Sequence, residues 1–463
     1  MISSRRLAGL ISLTIAVSGL IAAPDSHAQK RLGFFPASDG LAVSQIPFAE
    51  LTHLVWAFAT ISNNKLSVPD TAKLDSVVAV AKSYGTKVVL SLGGGSWPVS
   101  SSTLLCGLAK DSLALQAYIS SVADFCVAHK LSGVDIDFEG EDIPTDSGFG
   151  GIYTDFVNRS YAIMNPLGLS LSTDMYAGDY YAQYFEAEKF QDKCDWINVM
   201  SGGANGIWNT VKIATSPASI STVKGQMAYW AGRVPSSKLV LGIVGFTGLS
   251  FQGALKPGET HDGVPGPHSV DPQGSVYYKD IIALDSTKYT FVQGDENTGS
   301  YVSGMSPKGD SSVKEIIFYD TWDDVAAKAR YARTSTFAGV MYWNIGLDLA
   351  PANSRALVHA IQYGLTDSMF NTSIRGSNDM SSGKSVTAIS VSSGNHLSVV
   401  VPLAGAYSVS IFGLNGRRLA HSTFRTSTAG TCQLGSGISL GMGSYMVRVE
   451  GAGMIAFSRV VLL

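Results

Sequence analysis

Three acidic residues at alternate positions, Asp135, Asp137 and Glu139, are the side chains of this sequence best suited to do chemistry. Alternate side chains of a β-strand share one face, so this run groups its carboxyl groups and turns the apolar residues between them to the other side. Neighbouring like charges resist ionising together, and at least one of these carboxyl groups therefore holds a proton near neutral pH. Glu139 comes last in the run, and we predict that it is a general acid. The alternative, an exposed edge strand with solvated acids, conflicts with the apolar residues that flank the run.

Eight β-rich runs, which alternate with helix-like segments from Lys30 to about Gly364, must position these acids. Several runs are apolar throughout their middles, as strands covered on both faces are, and alternating β and α units imply a parallel sheet. Eight units predict an α/β protein with a closed (β/α)8 TIM barrel, whose active sites lie at the carboxyl ends of the strands. The predicted strands are residues 31–36, 53–61, 87–93, 131–139, 168–175, 195–201, 238–246 and 338–346, and predicted helices include Thr71–Tyr84, Ser112–His129, Ser219–Arg233 and Trp322–Arg333.

The chain divides into several predicted regions. The barrel is predicted to span residues 30–364 with a Gly-rich insertion at 247–314, in which residues 275–284 are the candidate for a small lid. A stretch rich in Ser, Gly, Asn and Asp at 365–384 is typical of a linker. Short alternating strands separated by glycines predict a small β-sandwich over residues 385–463.

Charge and cysteine content exclude several kinds of site. The formal net charge is −3 and no run of Lys or Arg occurs, so we expect no nucleic-acid partner and favour a neutral ligand. The 4 cysteines form no CxxC pair and the 8 histidines are dispersed, so we expect neither a metal site nor another cofactor. Cys106–Cys126 is the local candidate for a disulfide, although four cysteines allow three full pairings.

The first 28 residues are typical of a secretory signal peptide. Arg5 and Arg6 precede an apolar stretch from Leu7 to Ala23, and a small-x-small cleavage site ends at Ala28. A retained membrane anchor is the alternative, but the Gly and Ser residues within the stretch disfavour it. We therefore predict a secreted protein, extracellular or at the cell surface, with no membrane span in its mature form.

The acidic run resembles the signature Asp-Gly-x-Asp-x-Asp-x-Glu of the family 18 glycoside hydrolases at every acid except the first, where Ser132 stands. The third strand is similar to the family's Ser-x-Gly-Gly motif through Ser91, Gly93 and Gly94. The second, sixth, seventh and eighth strands also resemble their counterparts in order. The resemblance covers the whole barrel and implies a chitinase-like enzyme.

The resemblance implies substrate-assisted, retaining hydrolysis of β-1,4 linkages between N-acetylglucosamine units. In that scheme Glu139 protonates the glycosidic oxygen, and the 2-acetamido carbonyl of the sugar attacks the anomeric carbon. Asp137 orients the acetamido N–H and stabilises the oxazolinium, and Asp135 tunes Asp137. The expected partner is an N-acetylglucosamine polysaccharide or oligosaccharide, with chitin, chitooligosaccharides and the chitobiose core of N-glycans left open.

Aromatic residues are expected to line the sugar track. By resemblance, Trp343 forms the floor of the cleavage subsite, and Trp97, Tyr176 and Met200 are further substrate-binding candidates.

The match breaks after the sixth strand. Gly202 and Gly203 stand where the family's Met-x-Tyr-Asp motif has Tyr and Asp, and the family's Tyr hydrogen-bonds the attacking acetamido oxygen. Asn205 and Tyr176 are the candidates to replace that hydrogen bond. A catalytically impaired, lectin-like chitin-binding protein is the alternative to an enzyme.

The C-terminal region carries a second resemblance. Residues 405–419 and 443–453 resemble the C-terminal sorting domains of type IX secretion substrates, which implies an interaction with secretion machinery. A generic accessory β-sandwich is the alternative. All 7 tryptophans lie at or before Trp343, so the region has no obvious aromatic platform for sugars.

Overall fold

The computed structural model describes most of the barrel and parts of the C-terminal region. The described residues are 29–95, 99–140, 143, 148–244, 247–366, 388–392, 396–401, 404–413, 418–428, 430–433, 443–451 and 454–462. The predicted signal peptide, Trp97 and nearly all of the predicted linker lie outside them.

Eight parallel strands close into a barrel, which confirms the predicted α/β barrel fold. Each strand pairs with the next along the chain, and the last pairs with the first, so no edge remains. Each of the eight predicted runs overlaps one barrel strand, and no strand extends more than one residue beyond its run. The strands, named β1 to β8 from here on, are Lys30–Pro36, His53–Ser62, Lys87–Gly94, Gly133–Phe138, Ser170–Tyr176, Trp196–Met200, Leu239–Ile243 and Gly339–Tyr342.

Helices surround the barrel and begin at side chains that cap them. Asp70, Ser100 and Asp111 each accept a hydrogen bond from a backbone N–H in the first turn of the helix that follows. Thr321 and Asp324 form a capping box at the start of another helix. The helices are Thr71–Tyr84, Ser101–Leu108, Ser112–Ala128, Gly148–Met164, Asp179–Ala182, Ala187–Phe190, Ile220–Ala231, Tyr278–Ile281, Trp322–Thr334 and Leu357–Thr366.

An antiparallel sheet of five strands is inserted in the chain between β7 and β8, which pair directly with each other in the barrel. Its strands lie next to one another in the order 275–277, 247–252, 311–318, 301–308 and 289–292. Phe251, Ile316 and Phe318 are buried in a core of their own. Glu315 is buried in the same sheet, where Ser250, Ser306 and His268 all donate hydrogen bonds to its carboxylate.

The described part of the C-terminal region consists of antiparallel strands. One sheet has three strands, residues 388–392, 396–401 and 430–433, and the other has four, residues 418–426, 405–413, 443–451 and 454–462. Tyr407, Val409 and Ile411 alternate along one strand and are buried, which is the period expected of a strand with one covered face.

The interior of the barrel has an apolar half and a polar half. Leu32, Phe34, Val55 and Val240 belong to an apolar cluster formed by strands near the closure between β1 and β8. The opposite half is polar, because the buried side chains of Ser91, Asp135, Asp137, Ser172, Asp174 and Asn198 project from β3, β4, β5 and β6. Burying this many polar groups is costly unless they satisfy one another or serve a site.

The candidate disulfide Cys106–Cys126 does not form. Both residues are thiols in this structure. Cys126 lies on the helix Ser112–Ala128 with its side chain buried, and this burial raises the pKa of its thiol to about 12. Its sulfur faces the carbonyl oxygen of Gly133 at 4.0 Å.

Among the residues described, none of the helices is both long and apolar enough to cross a bilayer.

Candidate active site

Asp135 lies deepest in the polar half and is surrounded by donors. It is fully buried. Its Oδ1 accepts hydrogen bonds from Ser172 at 2.5 Å and Asn198 at 3.1 Å, and its Oδ2 accepts one from Ser91 at 2.8 Å. Ser91 and Ser172 lie directly beside Asp135 in the register of β3, β4 and β5. Asp135 is therefore the acceptor in three hydrogen bonds from the strands on either side of it and from β6.

Asp137 and Glu139 form a carboxyl pair above Asp135. A hydrogen bond joins the two carboxyl groups, so a proton lies between them. Burial, the charges of Glu139 and Asp135, and the hydrogen bond to Glu139 raise the pKa of Asp137 well above its ordinary value. Burial raises the pKa of Glu139 to about 7, although the hydrogen bonds from Asp137 and the Gly95 N–H oppose this rise. The pair therefore carries a transferable proton near neutral pH.

The start of the helix Ser101–Leu108 holds the backbone of Glu139. The Glu139 N–H donates to the Ser101 hydroxyl at 2.8 Å, and the Glu139 carbonyl oxygen accepts from the Ser102 N–H at 3.0 Å. Gly93 is needed in the neighbouring strand, because its φ is +110° and a Cβ would lie 2.3 Å from the carbonyl oxygen of Asp137. The acidic strand is thus fixed both along its edge and at its carboxyl end.

Tyr176 lies beside the acid pair, as expected for a residue at the mouth of β5. Its hydroxyl oxygen accepts a hydrogen bond from the N–H of Gly140, the residue after Glu139, at 2.9 Å. Burial and the charge of Glu139 raise the pKa of this phenol. Tyr176 therefore remains a neutral hydroxyl next to Glu139.

Asp174 is a fourth carboxyl group that the sequence analysis did not single out. It follows Ser172 by two residues on β5, so it faces the interior as well, and it lies beside Asn198 in the register of β5 and β6. It is buried, and its carboxyl group hydrogen-bonds to that of Asp135. Burial, the charges of Asp135 and Asp137, and this hydrogen bond raise the pKa of Asp174 well above its ordinary value. The signal in the sequence was the spacing: Ser172, Asp174 and Tyr176 are at alternate positions, so their side chains share one face of the strand.

Trp343 lies on the opposite rim, where β8 ends. Its ring stacks on Phe58 with centroids 5.5 Å apart at 18° and contacts Phe34 at 5.9 Å. Phe58, which the sequence analysis did not select, covers Gly94, where a Cβ would lie 2.4 Å from the phenyl ring. Gly95 follows, and its backbone contacts Glu139. The end of the third strand therefore contacts the aromatic surface through Gly94 and the acid pair through Gly95.

A cavity of about 630 Å³ opens beside this aromatic surface. Its volume is within the range of ligand-binding pockets. Trp343 and Phe58 form part of its wall, the insertion contributes Thr247, Asp271, Ser275 and Tyr277, and the remainder comes from Pro36, Ala37, Ser38, Asp39, Ala57, Pro69, Asp70, Asn344 and Leu347.

The end of β6 differs from a site that holds an aromatic side chain. Met200 is half-buried and packs against the apolar half of the barrel interior. Gly202 has a φ of +124°, and a Cβ there would lie 2.6 Å from the Val244 side chain. The Gln226 side-chain amide clamps both backbone groups of Gly202, at 2.8 and 3.2 Å. The positive φ and the close approach of Val244 therefore require glycine at position 202, and a tyrosine does not fit there without rearrangement.

Of the two candidates to replace the absent tyrosine, Tyr176 lies beside the acids. Asn205 is held in its own loop, where its amide donates to the Ser216 carbonyl at 3.0 Å and accepts from Asn209. Trp208 in the same loop is 54% exposed, and it is a further aromatic residue that the sequence analysis did not select as a site residue. Trp97 lies outside the described residues.

The arrangement can donate a proton and bind a planar, partly apolar ring. Glu139 and Asp137 lie on the same strand, so neither is opposite the other across a bound linkage, and backside attack by a second carboxylate is not provided for. Within the described ranges, no group of three or more His, Cys, Asp or Glu side chains could hold a metal ion.

Comparisons with known proteins identify a family and several similar sequences and structures. A family model described as glycosyl hydrolases family 18 matches residues 26–348. A class V chitinase from Arabidopsis thaliana is 24% identical over 373 residues, which cover 76% of this chain and 95% of that protein. The structure of human YKL-39, described as a pseudo-chitinase with retained chitooligosaccharide binding, matches with a TM-score of 0.64 at 21% identity and covers 73% of this chain and all of that one. A group IV chitinase from Ostrinia furnacalis matches at 0.64 and 19%, covering 73% and 99%.

Proposed function

Since this chain belongs to family 18 of the glycosyl hydrolases, we propose that it hydrolyses β-1,4 linkages in polymers of N-acetylglucosamine. The observation that carries the proposal is the proton-sharing pair of Asp137 and Glu139 at the end of β4, where burial raises the pKa of Glu139 to about 7. A carboxylic acid that keeps its proton near neutral pH and lies at the mouth of a barrel is suited to general acid catalysis.

The proposed first step breaks the bond between the anomeric carbon and the glycosidic oxygen. Glu139 transfers its proton to that oxygen, and the departing sugar leaves as an alcohol. The 2-acetamido carbonyl oxygen of the remaining sugar forms the new bond to the anomeric carbon, which produces an oxazolinium ion. Asp137 accepts the acetamido N–H and its negative charge stabilises this cation.

In the second step water opens the oxazolinium from the face that the leaving group vacated. The Glu139 carboxylate takes the proton from this water and is thereby restored to the acid form, so the anomeric configuration is retained. Trp343 with Phe58 offers the stacking face for the sugar ring, and Tyr176 keeps a neutral hydroxyl beside the acid.

Chitin and chitooligosaccharides are the proposed substrates, with the chitobiose core of N-glycans as the alternative within the same chemistry. The wide cavity of about 630 Å³ beside Trp343 leaves room for further sugar units of a linear chain. The relatives whose names state a substrate are chitinases, which favours chitin.

A catalytically impaired binding protein is the second candidate function. The observation that favours it is the absence of side chains at Gly202 and Gly203, where the family's tyrosine and aspartate are expected. Human YKL-39, which is described as a pseudo-chitinase that retains chitooligosaccharide binding, is one precedent for this outcome within the fold. The retained acid pair favours turnover.

Incubation of the purified protein with chitotetraose, with colloidal chitin and with a high-mannose glycoprotein tests the proposal. We expect shorter chitooligosaccharides from the first two substrates, and Glu139→Gln should bind chitotetraose without cleaving it. Binding to chitin without release of soluble sugar by the wild-type protein would reject the hydrolase and support the binding protein. Cleavage of the glycoprotein alone would reassign the substrate.

We also propose that the protein is exported, with residues 1–28 as a cleaved signal peptide and the C-terminal region as a type IX sorting domain. The sequence patterns described above support both parts. Expression in a type IX-competent host with and without residues 385–463 tests the sorting role. Equal amounts of both forms in the medium would contradict it and leave an accessory β-sandwich.

A further inference from the structure

We propose that Asp174 is a positioning residue of the acid cluster, which donates its own proton to Asp135 and thereby leaves Asp137 turned toward Glu139. This inference rests on the proposed hydrolase function for its catalytic meaning. Its structural part concerns only where the protons lie among four neighbouring carboxyl groups.

Asp135 can accept a limited number of hydrogen bonds. An ionised carboxylate offers about four acceptor positions. Ser172 and Asn198 occupy two on Oδ1, and Ser91 occupies one on Oδ2. The hydrogen bond from Asp174 fills the remaining position.

The proton between Asp174 and Asp135 belongs to one of these two carboxyl groups. Among the described residues, no N–H or O–H group donates to either oxygen of Asp174, although both oxygens are buried. Two ionised carboxylates in contact would leave both charges unpaired in the interior, which is strongly unfavourable. Because Asp135 already receives three hydrogen bonds as an acceptor, the proton belongs to Asp174.

The filled acceptor positions of Asp135 determine the hydrogen bonding of Asp137. With the acceptor positions of Asp135 filled, Asp137 has no place to donate downward, and its hydrogen bond runs to Glu139 instead. Among the described residues, Asp137 Oδ1 receives no hydrogen bond and is buried. This oxygen is therefore the one left to accept the acetamido N–H of a bound sugar.

No other titratable group near Asp174, among the residues described, provides the proton of its hydrogen bond to Asp135. Asp135 and Asp137 on β4, and Glu139 directly after it, all disfavour the ionisation of Asp174 by their charge. Asn198 on β6 is neutral, and the Tyr153 hydroxyl on the helix Gly148–Met164 is engaged by the Ile136 carbonyl oxygen and by Thr173.

Two substitutions of Asp174 separate a positioning role from a structural one. Asp174→Asn keeps an N–H that can donate to Asp135, so we expect kcat on chitotetraose within about threefold of wild type and an unchanged pH profile. Asp174→Ala removes the donor, and Asp137 is then free to share its proton with Asp135. We expect a fall in kcat of about tenfold to a hundredfold, the range for one lost hydrogen bond to a charged group, with little change in KM and a displaced acidic limb of the pH profile.

Infrared difference spectroscopy detects the proton whether or not the protein is catalytically active. At neutral pH, the spectrum of wild type minus Asp174→Asn should contain the carbonyl band of a protonated carboxylic acid, which shifts in D2O. Glu315→Gln is the matched control, because its buried carboxylate is ionised and no such band should be lost. If the Asp174→Asn spectrum loses no protonated band, the inference is wrong, as it also is if Asp174→Ala keeps the wild-type kcat and pH profile.

The two proposals fail in different ways. A wild-type protein that binds chitotetraose without cleaving it rejects the hydrolase, and the catalytic role of Asp174 is rejected with it, while the infrared band still decides its protonation. A wild-type protein that cleaves chitotetraose normally, with Asp174 ionised, rejects this inference alone.

Discussion

Replacement of Glu139 by Gln should stabilise the folded protein at neutral pH while it abolishes hydrolysis. Burial raises the pKa of Glu139 from its ordinary value of 4.5 to about 7. Each pKa unit corresponds to about 1.4 kcal/mol, so ionised Glu139 costs the folded state about 3 kcal/mol. Gln has nearly the same shape and no charge, so it should remove most of this cost. The gain should be smaller than the full amount of about 3 kcal/mol, because Glu139 shares a proton with Asp137 and the two groups titrate together.

The sign of the effect follows from the order in which the folded and unfolded chains lose this proton. The unfolded chain loses it near pH 4.5 and the folded chain near pH 7, so the stability of the wild type falls as pH rises between these values. Below pH 4.5 both forms carry the proton, and the wild type and Glu139→Gln should unfold at similar denaturant concentrations. Above pH 7 the difference should be complete.

Urea unfolding at pH 4 and pH 7.5 measures this difference, and Glu315→Gln is a control of opposite sign. The hydrogen bonds that His268, Ser250 and Ser306 donate to the Glu315 carboxylate lower its pKa despite burial. Glu315→Gln should therefore destabilise the protein at pH 7.5 and less so in acid. The reasoning is refuted if Glu139→Gln is no more stable than wild type at pH 7.5, or if its advantage is equally large at pH 4.

Three further predictions concern the same region. Hydrolysis of chitotetraose should decline as pH rises through about 7, because Glu139 loses its proton there; a rate that stays constant to pH 9 would contradict the assignment. Trp343→Ala should weaken chitotetraose binding, measured by calorimetry, by about tenfold or more, whereas Trp343→Phe should keep most of it; equal losses would argue against stacking. Gly202→Ala should lower the free energy of unfolding by about 1–3 kcal/mol, because its Cβ would lie 2.6 Å from Val244 at a φ of +124°. Gly203→Ala, with φ +64° and no atom within 4 Å, should cost about 1 kcal/mol, and equal melting temperatures for the two would contradict this account.

The fold could be predicted because its signals are local. Apolar runs at regular spacing identified all eight barrel strands, and the alternation of Asp135, Asp137 and Glu139 placed three carboxyl groups on one face. The helix Thr71–Tyr84 has the predicted bounds, since Asp70 caps its start and Gly85, at φ +73°, ends it.

The partners of the acids could not be predicted, because strand register brings them together from distant parts of the chain. Asp174 is an isolated acid in a run of Ser and Thr, and its importance depends on its neighbours across β4 and β6. Phe58 reads as an ordinary apolar strand residue, and only barrel closure brings it against Trp343. The clamp of Gln226 on Gly202 likewise joins residues 24 positions apart through a loop whose path no motif specifies.

The place where the barrel closes has a consequence for when the protein becomes competent to hold a ligand. The ring of Trp343 rests on Phe34 and Phe58, so this surface is assembled from the first two strands and the last one. A growing polypeptide contains its acids long before it contains residue 343. This aromatic surface can therefore form only after residue 343 has been synthesised and the last strand has paired with the first. Under the proposed function, separation of these two strands would remove the stacking face for the sugar ring.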